Sequence, residues 1–170
     1  PGLLFERMRW RRRKGQIDGA MELMQRASSR LGRPEIWWPE REILARKAIA
    51  DGRMSEAYRL VRNHHLRDGV AFAEAEFLAG WIALRYLNEP RAALTHFTRL
   101  YEAVRYPVSL ARAAYWAGRT AEAIGDKAAA RSWYETAAAF PVTYYGQLAG
   151  AKLPSKQRPS WPTIPEATAG

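Results

Sequence analysis

The sequence contains no cysteine, so disulfides and thiolate zinc sites are excluded, and the redox compartment stays open. It contains no apolar run near the roughly 20 residues that span a bilayer. Neither GxxxxGK[ST] nor GxGxxG occurs, so nucleotide binding has no motif behind it. β-Branched residues are few while alanine is abundant, which favours helix over sheet. Wholesale disorder is excluded by a hydrophobic content of 48%, with seven Trp, eight Tyr and five Phe as large packing units. The chain opens at Pro1 with no apolar signal stretch. We therefore expect either a removed targeting segment or an internal piece of a longer protein.

The net charge is +10, and its surplus is concentrated before residue 35, in the run Arg7, Arg9, Arg11, Arg12, Arg13 and Lys14. The expected role is a solvated helix face, the alternative being attraction to a polyanion. No nucleic-acid reader motif accompanies it, and we expect no nucleic-acid partner.

A period of about 37 residues organises the chain. Gly15, Gly52, Asn88 and Gly125 are breaks spaced by 37, 36 and 37 residues. Five residues after each stands an alanine: Ala20, Ala57, Ala93 and Ala130. Four further on stands a larger apolar residue: Met24, Val61, Phe97 and Tyr134. Glycine and asparagine tolerate the left-handed conformation that ends a helix, and residues four apart share a helix face. Each unit therefore reads as helix, tight turn, helix. A single pair cannot bury its own apolar stripe, so pairs are expected to stack. The spacing predicts helices near 3–14, 17–31, 39–50, 54–65, 70–87, 91–104, 109–124, 127–139 and 142–151, with Pro39 and Pro107 marking starts. In the fourth unit Gly118, Ala130, Tyr134 and Ala137 fall at the tetratricopeptide spacing; the other units run longer. The expected fold is all-α: a tetratricopeptide-like superhelix of about four stacked antiparallel helix pairs (an α-solenoid) over 1–151. A Pro-rich linker or tail follows over 152–170, containing Pro154, Pro159, Pro162 and Pro165.

Candidate catalytic groups read as bland. Glu74 and Glu76, like Glu40 and Glu42, are two apart and point to different helix faces, so a structural or solvated role is expected. His64 and His65 are adjacent and cannot serve one metal from a regular helix, and His96 has no ligand partner at helical spacing. No catalytic, metal or cofactor-binding residue is assigned, and no cofactor is expected.

Segments along residues 5–150 resemble the superhelical region of the soluble lytic murein transglycosylases. They include AEAEFLAGWIALRYL at 73–87, then Asn88, Pro90, Ala93, Leu94, His96 and Phe97. PVSLARAAYW follows at 107–116, then Gly118-Arg119, Trp133-Tyr134, Ala137-Ala138 and TYYGQLA at 143–149. Glu6-Arg7, Trp10, Arg12-Arg13 and Trp38-Pro39-Glu40-Arg41 also fit. The resemblance implies a periplasmic protein that acts on peptidoglycan glycan strands and releases a 1,6-anhydro-muramic product without metal or nucleotide. Catalysis in that family belongs to a following lysozyme-like domain, through a Glu followed by Ser. No Glu-Ser pair occurs here, so no catalytic residue is carried over and this chain alone is not expected to be an enzyme. The implied partners are glycan strands, the family's C-terminal catalytic domain and other cell-wall proteins. Arg112, Arg119, Tyr144, Tyr145 and Gln147 are the candidate glycan or interdomain contacts. Tyr144 and Leu148 are expected to share an apolar stripe, with Tyr145 and Gln147 on other faces and part-exposed. A tetratricopeptide-like protein-interaction adaptor is the alternative function.

Overall fold

The computed structural model describes residues 2–26 and 32–154. Among them are nine α-helices and no strand. They are α1 (Gly2–Arg13), α2 (Ile17–Arg26), α3 (Pro34–Ala50), α4 (Met54–Arg62), α5 (Gly69–Arg85), α6 (Pro90–Ala103), α7 (Pro107–Ile124), α8 (Lys127–Ala138) and α9 (Tyr144–Lys152). The chain divides into two compact units, Pro1–Val104 and Arg105–Gly170. The expected continuation of the second helix over 27–31, and the Pro-rich tail from residue 155 onward, lie outside the described residues.

The repeat is physical. Gly15, Gly52, Asn88 and Gly125 all have positive φ, at 74°, 74°, 53° and 89°. After the three glycines the next N–H folds back to the carbonyl five residues earlier: Gln16 to Arg11, Arg53 to Ala48 and Asp126 to Ala121. Orphan carbonyls at the helix end are thereby satisfied. In all four turns the residue just after the break then receives the alanine's N–H, as in Ala20 to Gln16 O and Ala130 to Asp126 O. The alanines are buried, as are Met24, Val61, Phe97 and Tyr134.

The reason for the small residues is close approach. A Cβ on Gly80 of α5 would stand 2.9 Å from Cε1 of Phe97 on α6. One on Gly118 of α7 would stand 2.7 Å from Cε1 of Tyr134 on α8. Ridges from one helix thus enter gaps left by glycine on the other.

The first unit packs α1 on α2, α3 on α4, and α5 on both α4 and α6. Its basic N-terminal run is not the freely solvated face expected. Arg12 forms a two-pronged ion pair with Glu40, which is buried, and Arg9 Nε approaches the same carboxylate at 3.4 Å. Arg11 donates to Gly19 O at 3.1 Å. A buried carboxylate on α3 thus draws part of the run inward. Pro39 does not start α3 but lies inside it; Pro34 occupies the first turn, where a missing N–H costs nothing.

The second unit packs α7 against α8 and α9, and α8 against α9. Asp126 caps α8 by accepting the Ala129 N–H at 2.9 Å.

Candidate functional site

The residues expected to contact glycan lie in the second unit. Arg119, on α7, donates to the Tyr115 hydroxyl at 3.2 Å and lies 3.5 Å from Glu122. Arg112 stands two turns earlier on the same helix, half-buried. The Tyr145 ring is half-buried, 5.4 Å from the ring of Tyr115. Arg119 and Tyr145 are therefore brought together through Tyr115.

TYYG forms a tight helix start. Thr143 Oγ1 accepts the Gly146 N–H at 3.0 Å and donates to Phe140 O at 2.8 Å. A side chain on Gly146 would collide with that carbonyl, its Cβ falling 2.0 Å from Phe140 O. Only glycine fits, which explains the third residue after the cap. The outer face of this start carries Tyr144, 69% exposed, and Gln147, also exposed. The expected pairing of Tyr144 with Leu148 in one apolar stripe is wrong for Tyr144. Its ring leans on Tyr145, 5.2 Å away, while Leu148 is half-buried. The physical reason is the anchoring of α9 through Gly146, Ala149 and Gly150, the residues it buries. That turns Tyr144 to solvent.

The first unit holds a polar cluster that spacing arguments did not find. Glu76, on α5, has no exposed surface. His64 Nε2 meets its Oε1 at 3.0 Å, His96 Nδ1 its Oε2 at 2.6 Å, and Arg99 Nη2 its Oε1 at 2.9 Å. The Leu66 N–H donates to His64 Nδ1 at 3.0 Å, so the ring proton sits on Nε2 and is donated to Glu76. His96 Nε2 is held by the Tyr58 hydroxyl at 3.1 Å. Around the cluster, Phe72 meets the His64 ring edge-on at 5.5 Å, and Arg99 covers the Phe72 face at 5.6 Å. Trp38 Nε1 donates to the neighbouring carboxylate, Glu74, at 3.3 Å.

Burial pushes the Glu76 carboxyl up, but the hydrogen bonds from His64 and His96, with the charges of His96 and Arg99, outweigh it and hold the group at about 2. A carboxyl so low is a poor proton donor near neutrality, and both of its oxygens already face donors. General acid catalysis does not suit it. Its chemistry is to tie α5 to α6 and to the loop after α4. The sequence signal was legible in principle: Phe72, Glu76, Ala79 and Ala83 follow helical spacing and are all buried, placing a carboxylate on an apolar stripe. Among the described residues no group of three His, Cys, Asp or Glu side chains is arranged to hold a metal ion. No described helix is long and apolar enough to cross a membrane.

Comparison with models of protein families, with curated proteins and with solved structures found no significant match to this chain.

Proposed function

We propose that this chain is the superhelical part of a peptidoglycan lytic transglycosylase. In this reading it is a periplasmic tetratricopeptide-like solenoid that positions or binds cell-wall glycan and supports a catalytic domain carrying the Glu-Ser motif. The ordered set of segments from LAGWIALR to TYYGQLA carries the family reading. The observation that carries glycan binding is the exposed pair Tyr144 and Gln147, set one turn apart on a helix start anchored by Thr143 and Gly146. An exposed aromatic face stacks on a sugar ring while a nearby amide meets its hydroxyls. The positive charge of the chain favours approach to an anionic wall polymer.

Incubation with purified sacculi tests this reading. The chain is expected to pellet with them and to release no anhydro-muropeptide, and Tyr144→Ala with Gln147→Ala is expected to weaken pelleting. Product release would show that catalysis resides here after all. Failure to pellet, or pelleting lost when the sacculi are first stripped of protein, would replace glycan binding with the adaptor function.

A further inference from the structure

Among the described residues Arg41 is a buried cation without an acid in an ion pair. Only 2% of its surface is exposed. Its Nη1 donates to Leu60 O at 2.7 Å, near the C-terminal end of α4. That bond has a structural use, since a cation suits the negative end of a helix. It engages only one of the guanidinium's nitrogens. Nε is buried with no acceptor, and among the described residues no carboxylate forms an ion pair with Arg41. The neighbouring acid in sequence, Glu40, is committed to Arg9 and Arg12. Buried charges are ordinarily paired, so a lone one indicates a missing counter-ion.

Arg41 forms part of the wall of a cleft of about 410 Å³. The other lining residues are Met24 and Gln25 from α2, Arg59 from α4, and Asn63 and His65 just after it. Five of the six carry side-chain nitrogen donors and none is acidic. Arg41 and His65 also line a second cleft, which does include Glu35 and Asp68. Glu35 is taken by Arg33, whose Nε donates to it at 3.1 Å.

His65 adds an independent sign. It has φ +58°, rare for a residue with a Cβ, and its neighbour His64 turns inward to Glu76. Strained backbone of this kind concentrates at binding sites. Partial desolvation, then the charge of Arg41, hold its pKa below the usual histidine value. An anion beside Arg41 would offset the part due to charge.

We propose that this acid-free cleft binds an oxyanion, the carboxylate or phosphate group of a small ligand, seated on Arg41 and held by Arg59, Asn63, His65 and Gln25. The guanidinium suits either group, because both accept parallel N–H bonds. The site does not depend on the glycan reading, since its residues belong to the first unit and Tyr144 to the second.

The test titrates sodium phosphate and, separately, sodium acetate into the full chain. Ionic strength is held constant with sodium chloride. Thermal melts and the histidine ring NMR signals are followed, His65 being assigned with His65→Asn. Asparagine accepts the left-handed backbone, so that variant keeps the loop. Saturable stabilisation with a shift of the His65 ring is expected. Arg59→Gln, at an exposed position, is expected to weaken apparent affinity about tenfold, and Arg41→Lys at least as much. Saturation by phosphate alone identifies a phosphate ligand, and by acetate a carboxylate ligand. A response no larger than that to chloride, or one unchanged in Arg59→Gln, overturns the proposal.

Discussion

His96 Nδ1 stands 2.6 Å from Oε2 of Glu76, a carboxylate with no exposed surface, across the interface of α5 and α6. The contact makes folding pH-dependent. The folded carboxyl is held at about 2, below its ordinary value near 4.5. A depressed folded value contributes stability above the unfolded value, and that stability is lost as pH falls from about 4.5 towards 2. The loss is on the order of 3 kcal/mol. Urea midpoints of the wild type and Glu76→Gln are expected to converge over that window and to stay apart above pH 5. A constant separation through the window would show that Glu76 is not the titrating group.

Glycine at 118 is expected to be required by Tyr134. Gly118→Ala gains about 1 kcal/mol of helix propensity but forces a methyl to within 2.7 Å of the ring. Overpacking costs roughly 1–3 kcal/mol, so a net loss is expected. Tyr134→Leu should relieve part of it. Thermal melts of the two single variants and the double variant measure the coupling, and strictly additive losses would contradict the contact.

The turn at Gly125 predicts a ranking. Alanine there, at φ +89°, is expected to cost about 1–2 kcal/mol, whereas asparagine should cost less. Asn88 already occupies the equivalent place in the preceding unit with φ +53°. Equal melts for Gly125→Ala and Gly125→Asn would remove the argument.

Thr143→Ala is expected to cost about 1 kcal/mol through the lost cap of α9. The consequence reaches the exposed pair Tyr144 and Gln147, which the cap holds in position. Amide hydrogen exchange at 146–148 should accelerate in this variant while α7 stays protected. Unchanged exchange would mean that packing of Gly146 and Ala149 alone fixes the helix.

The repeat was legible because it is written locally. A left-handed residue, an alanine five later and a large apolar residue four beyond that specify a turn and the face that follows it. All four copies carry the positive φ and bury the alanine and the larger residue. The cap at Asp126 and the one at Thr143 were visible for the same reason, since capping uses groups three residues apart. Pro39 was misleading, because proline at a helix start and proline inside a helix differ only in what precedes them. Here Pro34 had already begun the turn.

The polar core was decided elsewhere. Residues 58, 64, 76, 96 and 99 meet around one carboxylate, yet no spacing rule joins a loop histidine to a glutamate on the next helix and a histidine on the one after. Arg41 shows the same limit from the other side. Its sequence neighbour is an acid, but the helix turns Glu40 towards α1 and Arg41 towards the end of α4. By itself the sequence determined the helices and their turns, because backbone hydrogen bonds and helical periodicity act over a few residues. Which charges are paired, and which buried cation has no acid among the described residues, only the tertiary structure decided. Burial and Coulomb partners are properties of helices brought together from distant parts of the chain.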